Sequence, residues 1–232
     1  GHGTHVAGTI AAMNGNGIGV CGIAGGDGSE NSGVKLMSCQ VFSGDAGVTL
    51  DAEARAIKYA ADNGAVILQC SWGYNSSLAS IIEGYTPGPG SEEEWESLYP
   101  LEKEALDYFI NNAGSPNGVI DGGLVIFASG NEYAGMPAFP GAYSKCVSVS
   151  AVAADFTPAS YTDYGKEVTI SAPGGDTEYY NPVGKDDPES WTDGIYSGSI
   201  LSTWIQNGTA AYGFMDGTSM ACPHVLGVAA LG

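Results

Sequence analysis

One serine and one histidine in this chain each lie among small residues, in surroundings that suit nucleophilic catalysis. Ser219 lies in GTSMACPH, residues 217–224, a small-residue turn at the start of an apolar helical run, and His2 lies in the opening segment GHGTHVAG. A serine hydroxyl is a poor nucleophile at neutral pH until an imidazole accepts its proton. The two segments together therefore indicate covalent catalysis by an activated serine.

These two segments and a third between them carry a resemblance to a known family. The third is ASGNE, residues 128–132. In this order the three resemble the motifs of the subtilisin-like serine proteases, the subtilases. Shorter segments at 17–20, 71–73 and 171–174 also fall where that family has them, so the resemblance covers nearly the whole chain.

The resemblance implies a serine endopeptidase that acts on proteins or peptides through an acyl-enzyme. His2 would act first as general base and then as general acid, and Ser219 would be the nucleophile. The side-chain amide of Asn131 and the backbone N–H of Ser219 would hold the oxyanion, with Thr218 assisting from nearby.

The other two histidines are expected to be structural. His2 and His5 lie three residues apart on a predicted helix, but two histidines without a carboxylate or thiolate nearby make an incomplete metal site. His224 is expected to pack and to form a hydrogen bond within the helix that carries the serine.

The carboxylate that orients the histidine in subtilases lies upstream of it, in an Asp-Ser-Gly or Asp-Thr-Gly context, and nothing precedes Gly1 here. Asp27, Asp45 and Asp62 lie in loop or helix-end contexts, so no substitute is assigned. We expect residues 1–232 to be one catalytic domain truncated at both ends. We also expect the isolated chain to be nearly inactive, because disabling this carboxylate in a related triad costs about 10⁴-fold in turnover.

The resemblance also implies a pocket for the side chain that precedes the cleaved bond. Its two walls would be Ser71-Trp72-Gly73 and Ala128-Ser129-Gly130, where substrate backbone pairs as an added strand. Ala138 would form the floor, where a methyl group leaves room for a large apolar or aromatic side chain. Broad specificity with a large apolar residue before the cleaved bond follows. Phe139-Pro140 is a candidate cis peptide by the same resemblance.

The loop from Met13 to Val20 resembles the calcium loop of the family. Asn16 would supply a side-chain oxygen, and the backbone carbonyls of Met13, Ile18 and Val20 would supply further hard oxygen ligands. The family also draws ligands from the upstream segment, so structural calcium is expected in the intact protein. A plain glycine turn is the alternative interpretation.

Composition and charge exclude other classes of protein. The 232 residues are 44% hydrophobic and 14% charged, which suits one globular domain with a full core. A formal net charge of −19, with only 7 Lys and Arg, argues against a nucleic-acid partner. No apolar run is long enough to span a membrane. The resemblance implies a secreted or cell-surface enzyme, and we expect a monomer.

The cysteines indicate neither a metal site nor a disulfide framework. They are five in number and dispersed, without a CxxC pair: Cys21, Cys39, Cys70, Cys146 and Cys222. Most are expected to be buried as small hydrophobic side chains. One or two disulfides remain allowed, and no pairing is assigned.

Alternating helical and strand patterns predict the elements that position these residues. The expected helices are 4–13, 50–61 and 98–112. The expected strands are 34–42, 65–70, 123–128, 146–153 and 168–172. Such alternation is typical of an α/β fold, a three-layer sandwich with a mostly parallel central sheet flanked by helices. Sites in such sheets form beyond the carboxyl ends of the strands, where Ser71, Asn131 and the loop entering Ser219 lie.

Two stretches exceed the usual pattern and are expected to be surface insertions, residues 76–95 and 175–197. The first follows a pocket wall directly. Its glutamates suggest that it borders the cleft and favours basic substrate residues away from the cleaved bond: Glu83, Glu92, Glu93 and Glu94. A solvated loop is the alternative.

Two other functions compete with the endopeptidase. An inactive subtilase-like domain would bind peptides without cleaving them, and an upstream strand without aspartate would support it. The acid-acting carboxyl peptidases that share the fold use a glutamate where the histidine stands, so His2 argues against them. The presence of His2, Asn131 and Ser219 together favours the endopeptidase.

Overall fold

The structure is a computed structural model that describes residues 1–42, 49–79, 84–114, 120–177 and 198–232. Within these ranges, helices alternate with strands through most of the chain. In chain order the elements are α1 His2–Ala11, α2 Leu50–Asp62, β1 Ile67–Cys70, α3 Glu92–Leu98, α4 Pro100–Asn112, β2 Leu124–Ala128, β3 Val147–Val152, β4 Ile170–Pro173, β5 Ile200–Gln206, β6 Thr209–Met215 and α5 Thr218–Ala229.

Four parallel strands form the central sheet, in the order β1-β2-β3-β4. The register pairs Ile67 with Leu124 between β1 and β2, and Ile126 with Val147 between β2 and β3. The two central strands, β2 and β3, are buried along most of their length. This explains their continuous apolar sequences, because a parallel strand covered on both faces has no solvent side.

The two faces of β2 contribute to separate cores. Val125 and Phe127 pack with α2 and α4, whose buried side chains include Ile57 and Phe109. Ile126, on the other face, packs with the buried residues of α1 and α5, among them Val6, Ile10, Met220, Ala221 and Leu226. Successive side chains of a strand point to opposite faces, so one short strand separates two helical layers. The predicted three-layer α/β sandwich is confirmed.

Helix α2 shows why the sequence pattern predicted its bounds well. The Thr49 hydroxyl caps the helix by accepting the Ala52 N–H, and Asp51 lies in the first turn, where negative charge is favourable. The helix ends at Asn63, followed by Gly64 with a φ of +85°, a left-handed conformation that glycine adopts without strain.

The predicted strand 34–42 was wrong. No strand forms in this segment, although the Val34 N–H donates to the Ala24 carbonyl. The side chains of Leu36 and Met37 are exposed. Within the described residues, β1 is an edge strand with no further partner on its outer side. Apolar residues form a strand only where another strand supplies the backbone hydrogen bonds.

Other element bounds were shifted relative to the sequence prediction. Helix α1 begins at His2 rather than at residue 4, so His2 lies in its first turn. Helix α4 begins at Pro100, in the first-turn position that suits proline, and a separate short helix, α3, precedes it.

An antiparallel hairpin of β5 and β6 was missed by the sequence prediction. Its turn is Asn207-Gly208, with φ values of +51° and +77°. Asn-Gly between two runs of strand-forming residues is a strong sequence signal for a tight hairpin, since both central residues need positive φ. The hairpin packs against α1 and thereby positions the predicted histidine helix.

The first predicted insertion is buried at both ends. Ser76 and Ala79 are buried, and Trp95 is fully buried with its Nε1–H donating to Glu102 Oε2 at 2.6 Å. Whether residues 76–95 are an insertion stays a prediction. Glu83 lies outside the described residues, as does all of the second predicted insertion after Thr177.

Candidate active site

Ser219 is the second residue of α5, and the sequence of that helix leaves its carbonyl free. In an α-helix the Ser219 carbonyl would accept the N–H of residue 223, but Pro223 has none. The Ser71 hydroxyl donates to this carbonyl instead, at 2.8 Å. The proline therefore creates an acceptor at the site, and the residue after β1 satisfies it.

A second hydrogen bond joins Ser71 and Ser219, with Ser219 as the donor residue and Ser71 as the acceptor residue. The Ser219 hydroxyl donates to the Ser71 carbonyl oxygen at 3.3 Å, and the Gln69 side-chain amide donates to the Ser71 hydroxyl at 2.6 Å. The carboxyl end of β1 thus meets the N-terminus of α5. This is the arrangement that the parallel sheet predicts for a site at its strand ends.

Asn131 is oriented by the first residue of the same helix. Its Oδ1 accepts both the backbone N–H and the hydroxyl of Thr218, each at 2.9 Å. Both donors require an oxygen, so the amide orientation is fixed and Nδ2 is the group left to donate. Asn131 is exposed whereas Thr218 is fully buried, so a buried residue holds an accessible amide donor.

The backbone N–H of Ser219 is a second available donor. Among the described residues it has no hydrogen-bond acceptor, as expected for the first turn of a helix. The N-terminus of a helix also carries partial positive charge. Negative charge that develops beside Ser219 would therefore be stabilised by this N–H and by the helix as a whole.

His2 lies in the first turn of α1 and is exposed, and α1 packs against α5. Desolvation of its ring lowers the pKa of His2, with further lowering by His5 and the N-terminal ammonium group. A neutral imidazole is the form that can accept a proton. Within the described part of the chain the Ser219 hydroxyl donates to Ser71, and no hydrogen bond joins it to His2.

The other two histidines have structural contacts, as predicted. His5 is fully buried, with Nε2 lying 3.0 Å from the Ile200 carbonyl oxygen and 3.1 Å from that of Gly213. These bonds tie α1 to the hairpin. His224 Nδ1 lies 2.8 Å from the Met220 carbonyl oxygen, one turn earlier in α5.

The predicted pocket residues lie beside one another. Ala138 is buried and donates its N–H to the Ser129 carbonyl at 2.7 Å, which joins the predicted floor to one wall. A Cβ built on Gly73 would lie 3.8 Å from the Ala138 Cβ, so the other wall approaches the same floor. Trp72 packs edge-on against Phe127, with ring centroids 5.0 Å apart. The substrate-binding roles stay predictions.

The peptide bond between Phe139 and Pro140 is cis, as the resemblance predicted. It lies directly after the predicted pocket floor. The Phe139 carbonyl accepts the Tyr74 N–H at 2.8 Å, so the segment is also joined to the chain that leaves the first pocket wall.

Sequence reasoning missed one buried carboxyl group behind Asn131. Asp163 is fully buried, and its Oδ1 accepts the backbone N–H groups of Glu132 at 3.0 Å and Ala134 at 2.8 Å. Burial, followed by the neighbouring Glu132 side chain, raises the pKa of Asp163 to about 8. No motif marks this residue, and its burial becomes visible only when the chain is folded.

The predicted calcium loop is curled by alternating glycines, with φ values of +69°, +71° and +59° at Gly15, Gly17 and Gly19. Asn16 Oδ1 accepts the Ile18 N–H at 2.9 Å, which is a local turn contact. The described residues contain no group of three or more His, Cys, Asp or Glu side chains that could hold a metal. Calcium binding by the carbonyl and amide oxygens of this loop stays a prediction.

All five cysteines are free thiols in the structure, and three of them, Cys70, Cys146 and Cys222, are buried. Burial raises the pKa of Cys222 to about 12, so this thiol stays protonated near Ser219. In the described part of the chain, no helix has the length and apolar character needed to cross a membrane.

Comparison with known proteins assigns the family. The family model described as "Subtilase family" matches residues 1–232. The chain belongs to the subtilase family. It is similar to the M-protease of Shouchella clausii, with 31% identity over 231 residues that cover 100% of this chain and 44% of that protein. It is also similar to Subtilisin Savinase of Lederbergia lenta, with 30% identity covering 100% of this chain and 62% of that protein.

A solved structure supports the same conclusion for this subtilase chain. A protease from Pseudoalteromonas arctica superposes with a TM-score of 0.70 at 28% identity, covering 99% of this chain and 57% of that one. The chain thus spans about half the length of the relatives that it matches. The parallel sheet between two helical layers is therefore a subtilisin-like fold.

Proposed function

We propose that this subtilase domain is a serine endopeptidase with Ser219 as its nucleophile. The observation that carries the proposal is the convergence of Ser219 and Asn131 on the start of α5, where Thr218 fixes the Asn131 amide. Family membership supports the same activity. The Ser219 hydroxyl, the Ser219 N–H and the Asn131 amide lie at one helix terminus. Donors that are oriented before the reaction can stabilise the charge that forms when a serine hydroxyl attacks a carbonyl.

In the proposed reaction, Ser219 Oγ turns from the Ser71 carbonyl, transfers its proton to His2 and attacks the carbonyl carbon of the substrate. Asn131 Nδ2 and the Ser219 N–H donate to the resulting oxyanion. The leaving amine takes the proton from His2 as the peptide bond breaks. Water then attacks the acyl-enzyme with His2 again as base, which releases the second product and restores Ser219.

We assign no carboxylate of the described residues to orient His2. Because the chain spans about half the length of its relatives, we propose that the intact protein supplies this carboxylate from outside residues 1–232, which form part of one catalytic domain. The isolated chain should then turn over substrate far more slowly than the intact enzyme, because an imidazole without its carboxylate can adopt the wrong tautomer.

For specificity, we propose a large apolar side chain before the cleaved bond. The support is that the Ala138 N–H donates to the Ser129 carbonyl and that a Cβ built on Gly73 would lie 3.8 Å from the Ala138 Cβ, so three residues with small side chains lie together at the predicted pocket floor. The acidic residues of α3 give less support to a preference for basic substrates. Glu94 accepts the Gly90 N–H and Glu92 accepts the Ser144 hydroxyl, so both have local contacts.

We further propose that the intact protein is secreted or cell-surface, monomeric and stabilised by calcium. The curled loop around Asn16 supports the calcium proposal through its oxygen donors. If calcium binds the native state, removing it with a chelator should lower the melting temperature, and added calcium should restore it. An unchanged melting temperature would favour the plain glycine turn.

An inactive peptide-binding domain is the second candidate. The observation that favours it is the Ser219 hydroxyl, which donates to Ser71 rather than to His2. Hydrolysis of a fluorogenic peptide by the full-length protein separates the two. The endopeptidase predicts turnover that is lost in the S219A and H2A variants, whereas the binding domain predicts peptide binding without turnover in all three proteins.

A further inference from the structure

The segment that carries Asn131 is held by Asp163 on both sides of the asparagine. Before Asn131, the Ser129 hydroxyl donates to the Asp163 carbonyl at 3.2 Å, and the Asp163 N–H donates to the Gly130 carbonyl at 3.1 Å. After it, Asp163 Oδ1 accepts the Glu132 N–H at 3.0 Å and the Ala134 N–H at 2.8 Å. Four hydrogen bonds to one residue thus surround the predicted oxyanion donor.

The Asp163 carboxyl group is packed directly against this backbone. Gly130 has a φ of +116°, and a Cβ added there would collide with Asp163 Oδ2 and lie 2.8 Å from Glu132 Oε2. Asp163 Oδ2 receives no hydrogen bond from the described residues, and the Glu132 side chain is its neighbour at this position. A protonated Asp163 can donate from this oxygen to the Glu132 carboxyl group, a further contact with the segment that follows Asn131.

We propose that Asp163 is a positioning residue for the oxyanion site, fixing the backbone from which Asn131 projects. The inference rests on the proposed function, because it assumes that Asn131 donates to the oxyanion. Thr218 fixes the side-chain amide of Asn131, and Asp163 fixes the main chain on either side of it. The two anchors come from different parts of the sequence, α5 and the connection between β3 and β4.

Two anchors matter because an oxyanion donor works only within a narrow range of distance and angle. A donor held in place before the reaction needs no reorganisation in the transition state. A misplacement of about 1 Å can cost about 10²-fold in rate. A segment freed from Asp163 would let Asn131 keep its bond to Thr218 while its main chain shifts, so Nδ2 would no longer meet the oxyanion.

The side-chain part of the anchor can be removed separately from its charge. Burial and the nearby Glu132 favour a protonated Asp163 at neutral pH. Asparagine has the same shape, carries no charge and retains an oxygen that accepts the two N–H groups. D163N should therefore preserve the anchor, whereas D163A removes both acceptors.

The test is a double-mutant cycle measured as kcat and KM for a fluorogenic peptide, using full-length protein. The proteins are wild type, D163A, N131A, the double variant and D163N, each with its melting temperature. We expect D163A to lower kcat by about 10- to 100-fold with a smaller change in KM. D163N should restore kcat to within a few-fold of wild type, and D163A should change kcat little in the N131A background.

Equal loss of kcat from D163A in both backgrounds would overturn the inference, because a purely structural role does not act through Asn131. A D163N variant with a kcat as low as that of D163A would also overturn the inference. If D163A is not recovered folded, D163S replaces it in the same cycle with the same expected outcomes.

The cycle also separates this inference from the proposed function. Loss of turnover in S219A and a large fall of kcat in N131A test the proposed function without reference to Asp163. If N131A is as active as wild type, the oxyanion assignment fails and the inference fails with it. If N131A is slow and D163A is not, only the inference fails.

Discussion

Asn131 and Thr218 are joined by two hydrogen bonds that end on the same oxygen, Asn131 Oδ1, each 2.9 Å long. One comes from the backbone N–H at the start of α5 and the other from the Thr218 hydroxyl. The hydroxyl oxygen also accepts the Gly130 N–H at 3.3 Å. A single buried threonine therefore connects the serine helix to the segment that carries the predicted oxyanion donor.

Replacing Thr218 by valine, which keeps the shape but not the hydroxyl, removes the bond to Asn131 and the bond from the Gly130 N–H. It should lower kcat by about 10-fold, which corresponds to about 1.4 kcal/mol for the lost bond that orients the Asn131 amide. KM should change less, because the lost bond orients a group used mainly in the transition state. T218S keeps the hydroxyl and serves as the matched control. Steady-state kinetics that show equal kcat for T218V and wild type would contradict the orienting role.

The Asn131 amide itself should have a larger effect. N131A should lower kcat by about 10²- to 10³-fold with little change in KM, a magnitude established for the corresponding donor in subtilisin rather than derived from this structure. The same kinetic assay measures it. A loss confined to KM would assign Asn131 to substrate binding instead of oxyanion stabilisation.

Ser71 and Pro223 should be energetically coupled through the Ser219 carbonyl. S71A removes the donor to that carbonyl and should lower the free energy of unfolding by about 1 kcal/mol. In a P223A background the helix can supply an N–H to the same oxygen, so S71A should then cost less. Urea unfolding of the four proteins checks this, and equal costs in both backgrounds would exclude the coupling.

Gly130 should tolerate no side chain. G130A places a Cβ against Asp163 at a φ of +116°, so we expect a loss of about 1–3 kcal/mol of stability. Gly135 provides the control in the same segment, since a Cβ there would lie 3.6 Å from Tyr164, an ordinary contact. Thermal unfolding should show a clear decrease for G130A and little for G135A. A similar decrease in both would indicate general intolerance of the segment.

Much of this architecture was predictable from sequence, because the determining interactions are local. The α2 pattern carries its own cap, buried positions and glycine stop, and the apolar run before Ser71 forms a strand wherever a parallel neighbour exists. Ser219, Asn131 and Ser71 were predicted from short motifs that resemble those of the subtilases, and their functional roles stay predictions.

The parts that sequence reasoning missed depend on contacts between distant residues. Residues 34–42 have strand-like composition, but no strand pairs with them in the described chain. Asp163 resembles any loop aspartate until the fold buries it behind Asn131, 32 residues earlier. The hairpin was the exception, since Asn207-Gly208 offered a local signal that was not used.

A buried acidic pair lies between α2 and α4. Glu53 and Glu102 are 5% and 1% exposed, and Glu102 accepts the Trp95 Nε1–H. Burial raises the pKa of Glu53, and the neighbouring Glu102 carboxyl raises it further. Burial also raises the pKa of Glu102, although the Trp95 bond opposes this.

This pair should make stability fall as the pH rises. Above the ordinary glutamate pKa the unfolded chain has lost the protons that the folded pair still binds, so unfolding becomes easier by up to about 1.4 kcal/mol per pH unit for one such group. The decline should continue until the pH exceeds the raised folded pKa. E53Q should flatten it, as measured by urea unfolding at several pH values above 5.

The exposed Glu104, on the same helix as Glu102, provides the matched control. E104Q should leave the slope of stability against pH unchanged. An E53Q protein with the same slope as wild type would show that Glu53 does not bind the extra proton.

The most direct test of the central claim is labelling of the full-length, mature protein with a fluorophosphonate, followed by mass spectrometry of the modified peptide. We expect one adduct on Ser219, absent from S219A and strongly reduced in H2A, since the reagent reacts with an activated serine. Folded protein that is not labelled at Ser219 would contradict the assignment of this residue as a nucleophile.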